Sequence, residues 1–348
     1  MDGRKSSQKS STSTSLPAAL NSSDSANSPL QHGRCLMSGK ILITPRSLTA
    51  QGLENVPELE PLRKLGFELI PGPAGRLPQK SELLVLCTDV VGWLAGIEKI
   101  DDEILTAAKA LKVISRNGAG TDAIDTEMAS VLGISVMRAA GANARGVAEL
   151  ALTLILCALR QVTQANEILH AGRWERRMGK EMPEIRLGIV GYGAIGRTLA
   201  TLAVSLGAQV SFYDPFAAES AVEHSRIDSL ATLFASSDVV SLHSPPPENG
   251  KALVDDELLS LLPHGAILVN TARESLVNDS HVLAALEAGR LASYAVDAFD
   301  SEPPALTALL MHPNTVLTPH IGAYTGHSVS RAVQYAVNNL VGSLSTGA

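Results

Sequence analysis

The feature that most constrains the fold is a regular alternation of short apolar runs with helical patterns, which begins near Lys40 and continues almost to the end of the chain. Short runs rich in Val, Ile and Leu are typical of strands that are buried on both faces of a parallel sheet. Strands that alternate with helices need right-handed crossovers, which place helices on both faces of the sheet. The sequence therefore predicts an α/β fold with doubly wound parallel sheets.

This rhythm occurs twice, and a chain of 348 residues is longer than one hydrophobic core usually holds. A long helix from about residue 144 to beyond residue 161 separates the two series, and residues 326–344 are again helical. The second series has the six strands of a complete dinucleotide-binding sheet.

We therefore predict two Rossmann-like sheets joined by long helices. The predicted strands are residues 41–44, 90–94, 113–115 and 134–137, and then 187–190, 210–213, 239–242, 267–270, 294–298 and 316–317.

Composition narrows the class of partner. A net charge of -7 argues against nucleic acid, because duplex binding needs a clustered basic surface. The most apolar stretch, residues 147–159, contains Glu149 and is shorter than the roughly 20 residues that span a bilayer. The cysteines show no disulfide or metal-ligand spacing. We expect a cytoplasmic protein with no metal site and no membrane or nucleic-acid partner.

Residues 1–37 differ from the rest of the chain. They are rich in Ser, Asn and Thr and have no apolar period, so they cannot bury enough surface to offset the entropy of ordering. They also lack the continuous apolar core of a secretory signal. We predict a disordered extension outside the fold.

A glycine-rich turn is the best local signal of a ligand site. Gly191, Gly193 and Gly196 lie between an apolar strand and a helix, which is the context of a dinucleotide-binding turn. The first glycine permits the tight turn, the second lets the backbone approach a pyrophosphate, and the third allows the helix to pack on the strand. The helix N-terminus would then bind the phosphates.

The next strand ends at Asp214, about 18 residues beyond Gly196. A carboxylate there accepts a hydrogen bond from a ribose 2′-hydroxyl and repels a 2′-phosphate. The following Pro215 and Phe216 provide no cation for that phosphate. The pattern favours NAD over NADP.

Three polar residues each follow a predicted strand of the second series, where the sites of open sheets lie. Arg273 can bind a carboxylate through its fork of donors. His320 can donate or accept a proton, and a carboxylate such as Glu302 can orient its ring.

These features and two further motifs, SRNGAGTD at residues 115–122 and SLHSP at residues 241–245, occur in the order found in one protein family. From about Lys40 to Leu344 the chain resembles the D-isomer-specific 2-hydroxyacid dehydrogenases. The resemblance implies an NAD-dependent oxidoreductase that interconverts a D-2-hydroxy acid and its 2-keto acid.

The resemblance also implies residue roles. Arg273 would bind the substrate carboxylate and carbonyl, His320 would be the general acid/base, and Glu302 would pair with His320. The backbone of Gly96, Gly118 and Ala119 would face the substrate. The implied cofactor residues are Gly191, Gly193, Ala194, Ile195, Gly196, Asp214, Ser244, Pro245, Thr271, Asp297 and Gly322. Among them, Asp297 would lie beside the nicotinamide carboxamide.

The family's organisation implies that residues 38–142 form the first part of a substrate domain and residues 143–321 an inserted NAD-binding domain. Residues 322–348 would return to the substrate domain as a C-terminal helix. Members of the family are usually homodimers, which we also expect here.

Two departures from the family pattern bear on the substrate. Phosphoglycerate dehydrogenases commonly have Arg-Ser where this chain has Ala95 and Gly96, which weakens the case for a phosphorylated substrate. Glu274 stands where Gly often follows the catalytic Arg, and we expect its side chain to point away from the substrate. Phosphoglycerate dehydrogenase and hydroxypyruvate/glyoxylate reductase stay open as alternatives. A different class of function, an NAD(H)-sensing corepressor that binds partner peptides, also stays open.

Overall fold

Two parallel β-sheets organise the chain in a computed structural model that describes residues 38–217, 224–247 and 249–345. The five strands of the first sheet lie in the order β2-β1-β3-β4-β5, and all their pairings are parallel. Its strands are β1 (Lys40–Ile43), β2 (Glu68–Pro71), β3 (Val90–Ala95), β4 (Val113–Arg116) and β5 (Ser135–Arg138).

The second sheet has seven parallel strands in the order β12-β11-β10-β9-β6-β7-β8. The direction of the strand order reverses between β6 and β9, and such a reversal opens a crevice at the carboxyl ends of the two strands. The strands are β6 (Arg186–Val190), β7 (Gln209–Tyr213), β8 (Ser225–Arg226), β9 (Val239–Leu242), β10 (Ala266–Asn270), β11 (Leu291–Val296) and β12 (Thr315–Leu317).

Helices cover the sheets, as the doubly wound prediction requires, and the predicted α/β fold is confirmed. They are α1 (Arg46–Ala50), α2 (Glu60–Lys64), α3 (Lys80–Leu86), α4 (Asp102–Ala107), α5 (Thr126–Val131), α6 (Ala144–Arg160), α7 (Val162–His170), α8 (Ala194–Ser205), α9 (Leu230–Ser236), α10 (Asp256–Leu261), α11 (Asp279–Glu287) and α12 (Gly326–Ser345).

The two longest helices pack against different sheets. Helix α6 packs against α8, β10 and β11 of the second sheet. Helix α12, although it is last in the chain, packs against β3, β4 and β5 of the first sheet. Its buried Leu340 and Leu344 share a core with Ile41 and Val113. The chain therefore returns to its first sheet after completing the second.

Several details of the predicted elements were wrong. Strands β2 and β8 were missed, because β2 is a half-exposed edge strand with polar and Pro ends and β8 has only two residues. Strand β5 is an edge strand with exposed ends, not one buried on both faces. The long helix predicted to continue past Gln161 breaks there, because Gln161 adopts a left-handed φ of 50°.

The predicted N-terminal extension, residues 1–37, lies outside the described residues. The chain from residue 38 onward belongs to one compact unit. In the described part of the chain no single helix is long and apolar enough to cross a membrane, although the bent pair α6 and α7 meets that test in length and composition.

Candidate active site

The carboxyl ends of β10, β11 and β12, three neighbouring strands, carry the three predicted catalytic residues. Because parallel strands end at the same edge of a sheet, the loops with Arg273, Glu302 and His320 start side by side. Each loop is held in place by a side chain that hydrogen-bonds to backbone atoms, as the following contacts show.

His320 and Glu302 form the pair that the sequence predicts. Nδ1 of His320 is hydrogen-bonded to Oε1 of Glu302. This contact occupies one ring nitrogen and leaves Nε2 as the atom that can exchange a proton with a ligand. The two side chains are about half exposed, 47% and 42%, so a small molecule can reach them.

Asp297 holds the loop that carries His320. One carboxylate oxygen accepts hydrogen bonds from the backbone N of Ile321 at 2.8 Å and from the hydroxyl of Thr318 at 2.6 Å. The other accepts from the backbone N of Gly322 at 2.9 Å. Asp297 is itself buried, and it fixes a loop in which His320 has a φ of 52°, a conformation that non-glycine residues rarely adopt. Its predicted place beside the nicotinamide stays a prediction.

Glu274 holds the loop that carries Glu302. Its Oε2 accepts a hydrogen bond from the backbone N of Asp300 at 2.6 Å. Asn270 fixes the preceding turn, since its amide donates to the carbonyl of Arg273 at 2.7 Å and accepts from the backbone N of Ala272 at 3.1 Å. The carboxylate of Glu274, next to Arg273, is therefore engaged with a neighbouring loop. Sequence analysis gave no role to Asn270 and did not foresee this contact.

Arg273 connects the second sheet to the first. Its Nη2 donates to Oδ2 of Asp122, in the loop after β4, at 2.9 Å, and its Nη1 donates to the carbonyl of Ala272 at 2.7 Å. A Cβ atom at Gly120 would lie 2.6 Å from Nη2, so a side chain there would displace the guanidinium from this position. The Arg273 side chain is 37% exposed, which leaves further guanidinium donors accessible.

The predicted substrate-facing backbone lies at the ends of β3 and β4. Gly96 donates its backbone N–H to Glu98, and Gly118 donates to the carbonyl of Arg116. Arg116 is half-buried, and burial lowers the pKa of its guanidinium, as does the positive charge of Arg273, while the charges of Glu98 and Asp122 oppose this shift. Sequence analysis assigned no role to Arg116, Asp122 or Glu98. Ala119 accepts a long hydrogen bond from Arg138, at 3.5 Å.

The glycine turn has the geometry predicted for it. Gly191 has a φ of 91°, and a Cβ there would lie 2.7 Å from the backbone of His243 and Ser244. A Cβ at Gly196 would collide with the carbonyl of Gly191. At Gly193, by contrast, a Cβ would meet no described atom within 4 Å, so the start of α8 is open to a phosphate.

Other polar atoms of this crevice also fit a dinucleotide. Ser244 Oγ and Thr271 Oγ1 are buried and, within the described residues, have no hydrogen-bond partner, so a ligand's polar groups could satisfy them. Asp214 accepts hydrogen bonds from the backbone N of Tyr192 and of Phe216, both at 2.8 Å. Its carboxylate thus fixes the glycine turn to the end of β7, where a ribose would lie.

The remaining predicted cofactor residues lie at the same crevice edge. Ala194 and Ile195 form the first turn of α8, and Pro245 follows Ser244 in the exposed loop after β9. His243, predicted to be structural, is hydrogen-bonded to Ser241 at 2.8 Å, and burial lowers its pKa to about 4. It is therefore a neutral group at neutral pH.

Comparison with known proteins gives several matches. The family model described as "D-isomer specific 2-hydroxyacid dehydrogenase, NAD binding domain" matches residues 152–322. Hydroxypyruvate reductase of Thermotoga maritima is 36% identical over 259 residues, which cover 73% of this chain and 84% of that protein. D-3-phosphoglycerate dehydrogenase of Sus scrofa is 35% identical over 72% of this chain, but the match spans only 48% of that longer protein.

Solved structures agree with these matches. A glyoxylate reductase from Paecilomyes thermophila superimposes with a TM-score of 0.78 and is 28% identical, covering 89% of this chain and 96% of that one. The TT0316 protein from Thermus thermophilus has a TM-score of 0.76 and is 32% identical, covering 88% and 97% of the two chains.

Proposed function

The chain belongs to the family of D-isomer-specific 2-hydroxyacid dehydrogenases, and from this premise we propose that Arg273, Glu302 and His320 catalyse the interconversion of a small D-2-hydroxy acid and its 2-keto acid. The observation that supports the proposal most is the His320–Glu302 pair at the sheet edge where Arg273 also lies. A proton donor and an anion-binding guanidinium at one edge are what reduction of a keto acid requires.

The family match confirms three predictions made from the sequence. The chain is a D-isomer-specific 2-hydroxyacid dehydrogenase by family, its chemistry is NAD-dependent oxidoreduction, and its cofactor is NAD. The particular hydroxy acid and the roles of individual residues belong to the proposal.

In the reductive direction, Arg273 binds the substrate carboxylate and polarises the 2-carbonyl. His320 donates a proton from Nε2 to the carbonyl oxygen, and Glu302 stabilises the charged imidazole and holds its orientation. A bound NADH would supply the hydride for the 2-carbon, so that one hydride and one proton convert the keto acid to the hydroxy acid. Water then returns a proton to His320.

The residues that would hold the cofactor surround the crevice between β6 and β9. The free N–H groups at Gly193, Ala194 and Ile195 would bind the pyrophosphate, and Asp214 would accept from a ribose hydroxyl. We assign the groove to Ser244, Pro245 and Thr271, and the nicotinamide end to Asp297 and Gly322. Ser244 and Thr271 support this assignment through their unpartnered hydroxyls among the described residues.

The substrate would lie against the backbone of Gly96, Gly118 and Ala119, between the two sheets. We propose the corresponding division into a substrate domain, residues 38–142 and 322–348, and an inserted NAD-binding domain, residues 143–321. The packing of α12 on β3, β4 and β5 supports this division.

We also propose a homodimer in the cytoplasm. The segment after α7 exposes two large apolar side chains, Trp174 at 81% and Met178 at 95%, as is common in surfaces that bind a partner. The free thiols of Cys87 and Cys157 fit a reducing compartment. Size-exclusion chromatography with light scattering tests the dimer, and a monomer at micromolar concentration would refute it.

The catalytic proposal is tested by NADH oxidation with purified protein and a panel of glyoxylate, hydroxypyruvate, pyruvate and phenylpyruvate. Turnover should vanish in Arg273→Ala and persist in Arg160→Ala, which removes an exposed arginine at the end of α6. If no keto acid turned over while NADH still bound tightly, the proposal would fail in favour of an NAD(H)-sensing role.

A further inference from the structure

Two carboxylates are almost fully buried in the described part of the chain, and they differ in how they are satisfied. Asp297, 2% exposed, uses both oxygens to hold a loop. Glu98, 3% exposed, uses only one. Its Oε2 is buried and has no hydrogen-bond partner among the described residues. A buried polar atom of this kind is rare and calls for a functional explanation.

Neighbouring groups fix the Glu98 side chain in place. Its Oε1 accepts hydrogen bonds from the hydroxyl of Thr44 and, at 3.0 Å, from the backbone N of Gly96. Trp93, fully buried, donates from its indole Nε1 to the same hydroxyl at 2.9 Å. The carboxylate is therefore held by two hydrogen bonds, and Trp93 fixes the hydroxyl that donates one of them.

The free oxygen lies beside the backbone that is proposed to face the substrate. A Cβ atom at Gly96 would lie only 2.7 Å from Oε2, so the carboxylate fills the space of a side chain at that position. The backbone N–H of Gly96 is already used by Glu98 and is not available to an anion. Ala95, the preceding residue, is a buried methyl group and offers no cation.

Glu98 also belongs to a balanced group of charges. It lies at the end of β3, whose Ala95 pairs in register with Arg116 of β4. The charges of Glu98, Asp122 and Arg273 all act on Arg116, and Asp122 is bonded to Arg273. These two positive and two negative groups balance one another. A further guanidinium, that of Arg138 on β5, lies at the carbonyl of Ala119, two strands away from Ala95. The substrate carboxylate needs Arg273, and nothing in this group remains to neutralise a second anion.

We infer that Glu98 determines the substrate class of this dehydrogenase, which accepts 2-keto acids whose only charge is the carboxylate and rejects those that carry a phosphoryl group. This inference rests on the proposed function. A phosphoryl dianion beside Gly96 would meet a fixed carboxylate that is itself buried, and water screens the repulsion between like charges poorly at such a group. An uncharged substituent such as a hydroxyl meets no such repulsion.

The test compares kcat/KM for hydroxypyruvate and phosphohydroxypyruvate. Wild-type protein should prefer hydroxypyruvate by about a hundredfold or more, a ratio that a misplaced buried charge can produce. Glu98→Gln has the same shape and keeps an acceptor for Thr44 and Gly96. It should raise relative activity on phosphohydroxypyruvate about tenfold or more. Glu127→Gln, which removes an exposed charge from α5, should leave the ratio unchanged.

A binding measurement separates this inference from the catalytic proposal. Calorimetry with the NAD⁺-loaded protein should detect hydroxypyruvate and not phosphohydroxypyruvate. Selective binding without turnover would refute the catalytic proposal and support the role of Glu98. A wild-type preference for phosphohydroxypyruvate, in kcat/KM or in binding, would overturn the inference even if Glu98→Gln did not fold. An unchanged ratio in a folded Glu98→Gln variant would also overturn it.

Discussion

The edge of the second sheet that carries the catalytic loops and the edge of the first sheet that faces it use carboxylates in opposite ways. At β10–β12, Glu274 and Asp297 accept hydrogen bonds from backbone N–H groups and hold neighbouring loops. At β3–β4, Glu98 keeps a buried oxygen unpartnered, and Asp122 is mostly exposed. The edge at β10–β12 fixes the geometry of its loops before a ligand arrives, whereas the edge at β3–β4 places negative charge beside the ligand. Catalytic power should therefore depend on the edge at β10–β12 and substrate choice on the edge at β3–β4.

The strongest test of this contrast removes the proton donor. His320→Ala should lower kcat by about a hundredfold or more, the usual contribution of a general acid. NADH affinity should stay within about twofold, because the glycine turn is untouched. Stopped-flow reduction and NADH fluorescence titration measure the two quantities. A variant with near-normal turnover would remove His320 from the mechanism.

The pairing of His320 with Glu302 has its own signature. Reduction needs a protonated imidazole, so kcat/KM should fall as pH rises. Glu302→Gln removes the negative charge that stabilises the protonated ring, and the falling limb should move to lower pH. The test compares the pH–rate profiles of the wild-type protein and of Glu302→Gln. Falling limbs that coincide would contradict the pairing of His320 with Glu302.

The next largest fall in kcat should come from a change to Asp297, which holds the loop of His320. In Asp297→Asn, one of the two oxygens becomes an amide that faces a backbone donor, Gly322 or Ile321. We expect kcat to fall about tenfold or more and the free energy of unfolding to fall by about 2 kcal/mol, typical of a buried donor left unpaired. Turnover and urea unfolding measure these effects. Loss of stability with full kcat would mean that Asp297 does not position His320.

Glu274 should act through Glu302 with a smaller effect. Glu274→Ala removes the acceptor for the Asp300 N–H, and kcat should fall about threefold to tenfold, because a net hydrogen bond contributes about 1 kcal/mol. Glu274→Gln keeps an acceptor and should stay within about twofold of wild type.

The falling limb of the pH–rate profile provides a second readout for Glu274. It should shift to lower pH in the alanine variant only, because only there is Glu302 loosened. Glu287→Ala, at the exposed end of α11, is the matched control. Equal loss of activity in the alanine and glutamine variants would contradict a role through the hydrogen bond.

The smallest predicted effect concerns the substrate-facing edge. Asp122 holds one donor of Arg273 and competes with a substrate carboxylate for it. Asp122→Asn should lower KM for 2-keto acids about twofold to fivefold at unchanged kcat, the range of an exposed ion pair. Steady-state kinetics measures both constants. A higher KM with a lower kcat would show that Asp122 positions Arg273 and does not compete with substrate.

The same contrast explains what could be predicted from the sequence. Six of the seven strands of the second sheet were predictable, because Val- and Ile-rich runs mark buried strands. Arg273, Glu302 and His320 were predictable too, because they lie in the loops that follow three of these strands. Strands β2 and β8 were missed because short, half-exposed edges have no such pattern.

Contacts between distant segments could not be predicted in this way. Arg273 and Asp122 are 151 residues apart, and Glu98 reaches Thr44 across 54. Periodicity and motif spacing report only on local neighbours along the chain. Which carboxylates would be satisfied and which would stay free is decided by how the loops of the two sheets fold against their neighbours.

We propose above all that this chain transfers a hydride to the 2-carbon of a keto acid and makes the D-hydroxy acid. The most direct measurement is the reduction of hydroxypyruvate with NADH deuterated at C4 of the nicotinamide, followed by mass spectrometry and chiral chromatography of the product. We expect D-glycerate with deuterium at C2. Product of the L configuration, or D-glycerate without the label, would contradict it.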